Sequence, residues 1–119
     1  MPVAPDIIIT RQKAEILLET HDPLDAGQSL AGAVRLVEGF AYLSILALTD
    51  QAFSITIDEA STADGPFTRT ATFPSAADGA GQQRVRERFF PCGAYALVTL
   101  TNLGGDQSQL DYTVIGVPA

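Results

Sequence analysis

Gln82-Gln83-Arg84-Val85-Arg86-Glu87-Arg88-Phe89-Phe90-Pro91-Cys92-Gly93-Ala94-Tyr95-Ala96-Leu97-Val98-Thr99-Leu100-Thr101-Asn102-Leu103-Gly104-Gly105-Asp106-Gln107-Ser108-Gln109-Leu110-Asp111-Tyr112-Thr113-Val114-Ile115-Gly116-Val117-Pro118 reads as three consecutive strands with turns between them. Tyr95 to Thr101 is β-branched, aromatic or aliphatic apart from one Ala. Pro91 and Gly93 bound it on one side and Asn102-Leu103-Gly104-Gly105 on the other, the punctuation expected around a strand. The strand before it spans Arg84 to Phe90, and the one after it Leu110 to Val117.

Working outward, a period of two persists almost everywhere. Thr68 to Phe73 is a strand, and Pro74 to Gln82 is a loop rich in Gly, Ala and Asp. In Ala52 to Ile57, Phe53, Ile55 and Ile57 alternate with Ser54, Thr56 and Asp58, the pattern of a half-buried strand. Phe40 to Leu48 places Phe40, Tyr42, Ser44 and Leu46 on one face and Ala41, Leu43, Ile45 and Ala47 on the other. It is nearly apolar on both, which predicts a central strand. Ala33 to Leu36 is a further strand; His21-Asp22-Pro23 and Asp25-Ala26-Gly27-Gln28-Ser29 are turn chemistry. Asp6 to Thr10 and Ala14 to Thr20 are apolar runs of strand length, the second assigned as strand although its residues also suit a helix. Seven or eight strands without a convincing helix predict an all-β, single-domain antiparallel β-sandwich or jelly roll. Residues 1–30 have two readings: an extended N-terminal arm anchored by Ile7, Ile8 and Ile9, or the first strands of the sandwich that residues 31–119 complete.

Composition narrows the class. A chain of 119 residues, 46% hydrophobic and 18% charged, is one domain with enough apolar surface to fold. Fourteen acidic against seven basic residues give a net charge of −7, which argues against a nucleic-acid partner because phosphate affinity comes from Lys and Arg. The single cysteine, Cys92, has no partner for an internal disulfide and is too little for a structural zinc site. No signal-peptide pattern and no stretch of membrane-spanning length is read, so the expectation is a protein made in the cytoplasm, with no membrane partner.

The residues that carry chemistry have bland readings close by. His21 beside Asp22 has the makings of a ligand or base, but it is the only histidine and fits a surface turn. Asp50, Asp58, Glu59, Asp64 and Asp106 fall at strand ends, where carboxylates gather around calcium if loops converge; without an Asp-x-Asp-x-Asp-Gly loop, solvated turns are favoured. Cys92 between Pro91 and Gly93 has no visible base to activate it. No catalytic residue, metal ligand or cofactor is predicted, and the chain is read as non-enzymatic. Arg84, Arg86 and Arg88 stand out, since alternation puts three of seven basic residues on one face of one strand. Such a stripe either faces solvent at a sheet edge or docks on an acidic surface through planar guanidinium contacts.

Phe40-Ala-Tyr-Leu-Ser-Ile-Leu-Ala-Leu-Thr-Asp-Gln51, Phe53-Ser-Ile-Thr-Ile-Asp-Glu-Ala-Ser-Thr-Ala-Asp-Gly-Pro-Phe67, Arg86-Glu-Arg-Phe-Phe90 and Ala96-Leu-Val-Thr-Leu-Thr-Asn102, taken in order, resemble small β-sandwich structural proteins of tailed bacteriophages and related particles. The resemblance is one of turns and strand ends across residues 40–118. It implies a virion protein on the capsid exterior: a decoration, or cement, protein that clamps neighbouring major capsid subunits. The same resemblance implies a homo-oligomer, a trimer being favoured. The alternatives are a neck or tail-junction protein, and a glycan-binding or adhesion module; the absence of Trp and the placement of Tyr42, Tyr95 and Tyr112 within strands weigh against glycan stacking.

Overall fold

The computed structural model describes residues 13–118, among which there is no helix. The strands are β1 (Glu15–Thr20), β2 (Ser29–Ala31), β3 (Arg35–Leu36), β4 (Phe40–Thr49), β5 (Phe53–Ala60), β6 (Thr68–Pro74), β7 (Ala76–Ala77), β8 (Gln83–Phe89), β9 (Tyr95–Asn102) and β10 (Leu110–Pro118). They form two antiparallel sheets, sheet A in the order β1-β10-β4-β8-β7 and sheet B in the order β2-β9-β5-β6. β3 also pairs with β9, further along the edge that β2 occupies.

β2 and β3 are one strand with an interruption. Between them the Gly32 N–H donates to the Val98 carbonyl at 2.9 Å. A Cβ at Gly32 would come within 2.9 Å of Leu18 Cδ1, so this crossing admits only glycine without a shift. With β2 and β3 taken together, the first strand pairs with the last and the pairing continues inward: β1 with β10, β2/β3 with β9, β4 with β8, β5 with β6. A long hairpin rolled into two facing sheets in this way is a jelly roll. β7 only lengthens the rim of sheet A, pairing Ala76 and Ala77 with Arg84 and Gln83 inside the stretch expected to be loop.

The core lies between the sheets. Leu43, Ile45 and Ala47 of β4 and Tyr112 and Val114 of β10 meet Phe53, Ile55 and Ile57 of β5 and Val98 and Leu100 of β9, all buried. Each large aliphatic side chain removed from water in this layer contributes about 1.5–3 kcal/mol. β4 is central in sheet A, between β10 and β8. Within the first thirty residues, Glu15–Thr20 is the β1 edge of sheet A, with Leu17 buried, and Ser29–Ala31 is β2. Ile7, Ile8 and Ile9 lie outside the described residues.

Candidate functional site

Alternation that sends Leu43, Ile45 and Ala47 into the core sends Tyr42, Ser44, Leu46 and Leu48 to the outer face of sheet A. Register then builds rows across four strands. Glu19, Thr113, Leu46 and Arg86 form one row; Ile16, Ile115, Ser44 and Arg88 form the next; Asp111, Leu48 and Arg84 form a third. Leu46 is 52% exposed and Ile16 58% exposed. The solvent side of an antiparallel sheet is usually polar, and among the described residues nothing lies over this leucine. Arg84, Arg86 and Arg88 are brought together on β8, all exposed, while Val85 and Phe89 are buried on its other side. Glu87 shares the inner side with them but is exposed, because β7 pairs only with Gln83 and Arg84 and leaves the rest of β8 as an open edge.

The three arginines differ in what they touch. Arg84 Nη2 lies 3.2 Å from Asp78 Oδ2, and Asp78 is held below the usual carboxylate range chiefly by the Ala80 N–H. The Arg88 guanidinium sits 5.0 Å from the centre of the Tyr42 ring, and Tyr42 meets Phe90, itself 65% exposed, at 6.0 Å between centroids. Arg86 makes no ion pair among the described residues. Shallow depressions flank this row, one lined by Leu46, Leu48, Arg84, Asp111 and Thr113 and one by Ser44, Arg86, Glu87 and Arg88.

Across the same face the charge reverses. His21 Nδ1 lies 2.7 Å from Asp111 Oδ1, and His21 Nε2 lies 3.8 Å from Glu19 Oε1. The hydrogen bond to Asp111, helped by the two negative charges, raises the His21 pKa above its ordinary value. The face therefore runs from cations on β8, through aliphatic side chains on β4 and β10, to carboxylates on β10 and β1. Glu19 and Asp111 were not singled out by the sequence; their place opposite the arginine stripe is set by strand register alone.

Four of the five acids at strand ends, Asp50, Asp58, Glu59 and Asp106, have structural work, while Asp64 is exposed in its turn. Asp50 accepts from the Ser108 N–H at 3.0 Å and the Ser108 hydroxyl at 2.8 Å, and Asp106 accepts from the Ala26 N–H at 2.8 Å. These bonds, with Asn102 donating to the Asp25 and Gly105 carbonyls, tie three loops together at one end of the sandwich. Burial opposes ionisation of Asp50, but hydrogen bonds, led by the two from Ser108, outweigh it and bring the pKa down to about 2. Glu59 is buried and accepts from Thr70 Oγ1 and from the Cys92 and Gly93 N–H groups. It pins the turn after β8, and Asp58 pairs with Arg69 at 3.1 Å. No group of three or more His, Cys, Asp or Glu placed to hold a metal ion occurs among the described residues. Cys92 is exposed.

Comparison with protein families finds no family model that matches the chain, and comparison with curated proteins finds no match.

Proposed function

We propose that this chain is a non-enzymatic structural protein that docks through the outer face of sheet A, and that it serves as a decoration protein on the outside of a virus capsid. The observation that carries the docking reading is the half-exposed Leu46 at the centre of that face, with the partly exposed Leu48 and Ile115 beside it, the exposed Ile16 on the β1 edge and three arginines along the β8 rim. Interfaces are enriched in arginine and aromatic side chains at the expense of lysine, and the Arg88–Tyr42–Phe90 group adds that character. The jelly roll is a frame that viral capsid proteins share with lectins, so it agrees with the capsid reading without selecting it. The particle itself is implied by the resemblance of residues 40–118 to phage structural sandwiches, and major capsid protein is the partner that resemblance supplies.

A glycan-binding role would draw on the exposed Phe90 and Tyr42. That reading is weaker, because Arg88 already lies over the Tyr42 ring and the two rings are inclined at 57°, so they offer no common stacking platform. Quantitative mass spectrometry of purified particles from the source of the chain tests the proposal. The protein is expected in fixed ratio to the major capsid protein, and adding it to particles stripped of it should raise their melting temperature. Its absence from particles would overturn the capsid role.

A further inference from the structure

We infer that the occupant of the outer face of sheet A is the same face of a second copy of this chain, packed about a twofold axis. This rests on the reading of that face as an interface and adds its partner. The argument is charge complementarity within single rows. Arg86 and Glu19 end the same row, with Leu46 and Thr113 between them, and Arg84 and Asp111 end another, with Leu48 between. A twofold axis lying in the interface parallel to the strands, between β10 and β4, turns β8 of one copy onto β1 of the other and β4 onto β10. Strand level is preserved by that rotation. Arg86 of each copy then faces Glu19 of the other, Leu46 faces Thr113 and Leu48 faces Asp111, which puts Arg84 one strand beyond Asp111, at the level of the His21 that Asp111 holds. The Arg86–Glu19 pair occurs twice, which is what an isologous contact requires.

Any other in-plane arrangement loses this match. A twofold axis perpendicular to the strands would keep β8 over β8 and set arginine against arginine. Sheets packed face to face run within about 30° of parallel, which the strand-parallel axis allows. Four strands about 4.8 Å apart, with roughly seven residues each at about 3.4 Å, give a patch of about 19 by 24 Å per copy. That is small for a protein interface, so the pair should associate at micromolar concentrations and dissociate on dilution. It is a pair, where the resemblance to cement proteins implies a trimer.

Sedimentation velocity of the full chain from about 5 to 500 μM tests the inference at low and high salt. The expected result is a monomer–dimer equilibrium that weakens with salt. Arg86→Glu and Glu19→Arg should each weaken it at least tenfold, since each sets like charges together twice. Mixed one to one, the two variants should recover dimer, because in the mixed pair both contacts again join opposite charges. A parent that stays monomeric throughout, or a mixture that stays as monomeric as its components, overturns the second copy as occupant. Scoring the same variants for attachment to particles separates the two readings: lost attachment with a monomeric parent removes the second copy and keeps the face as an interface. Attachment and self-association that are both indifferent to Arg86→Glu and Leu46→Asp would remove the interface as well.

Discussion

Sheet B turns Ser29, Thr101, Ser54 and Pro74 outward in one row and Ala31, Thr99, Thr56 and Thr72 in the next, whereas the matching rows of sheet A carry Ile16, Ile115, Ser44 and Arg88, and Glu19, Thr113, Leu46 and Arg86. Both faces lie on the outside of the same sandwich. Threonine satisfies a pleated sheet as well as an aliphatic residue does, since its branch at Cβ packs against neighbours while its hydroxyl stays in water. Sheet B uses that solution in these two rows, where Ser29 Oγ lies 3.0 Å from Thr101 Oγ1, although its far end carries Tyr95, Leu97 and the 54% exposed Leu36. Sheet A places leucine and isoleucine where threonine would fold equally well. Between these rows the difference is one of what each meets, and the rows of sheet A, with arginines and carboxylates at their ends, are the ones suited to being covered.

The largest effect should separate the two sides of β4. Ile45→Ala removes three carbons from a fully buried site and should cost about 2–5 kcal/mol in urea denaturation, a large share of a total stability of roughly 5–15 kcal/mol. Leu46→Ala, one residue on, should stay within about 1 kcal/mol in dilute solution. Equal costs for the two would mean that Leu46 is already covered within the monomer, and the contrast between the faces would break.

A smaller effect belongs to the loop end, where charges are satisfied inside the chain and not across a face. The pKa of Asp50 lies at about 2 when folded against an ordinary 3.8, so the bonds from Ser108 contribute stability that is fully present above pH 3.8 and is lost as the pH falls toward 2. Asp50→Asn should cost about 1 kcal/mol at neutral pH, the value being reduced by solvent at this half-buried site, and should flatten the fall in stability between those pH values. An acid limb unchanged in the variant would assign it to other carboxylates.

Leu46→Thr with Leu48→Thr rewrites sheet A in the manner of sheet B. Stability should move by less than about 0.5 kcal/mol, because half-exposed positions on a strand tolerate threonine. Self-association should be lost. Association that survives both substitutions would locate the contact elsewhere and leave the contrast between the faces without a consequence.

The alternation that made this comparison visible was legible in the chain. Phe40 to Leu48 read as central because it is apolar on both sides, and it is central in sheet A; the same pattern is silent on whether the second side is covered by this chain or by another. Arg84, Arg86 and Arg88 fall on one face by spacing alone. Their relation to Glu19 and Asp111 depends on pairings between opposite ends of the chain, and local periodicity carries no register. Glu59 read as a solvated turn acid, yet it is buried, because the N–H groups it accepts from belong to Cys92 and Gly93, more than thirty residues later. Ala76 and Ala77 carry no strand propensity, and their pairing comes from the free edge of β8.

The smallest effect concerns the acidic side of the face. His21 is the only histidine, so its ring protons report its titration without ambiguity in a proton NMR series. The hydrogen bond to Asp111 raises its pKa above 6.5, which means that the pair favours the folded state fully below pH 6.5 and less as the pH rises through the folded value. Asp111→Asn should bring the titration back toward the ordinary value while leaving the melting curve unchanged, since the pair is open to solvent. A parent histidine that titrates at its ordinary value would mean that His21 and Asp111 are not joined in solution. Asp111 would then keep its charge with no cation fixed beside it, and the difference in association between pH 5 and pH 8 should be smaller. With the pair intact, protonating His21 places a positive charge beside Asp111, so the dimer should be measurably weaker at pH 5 than at pH 8.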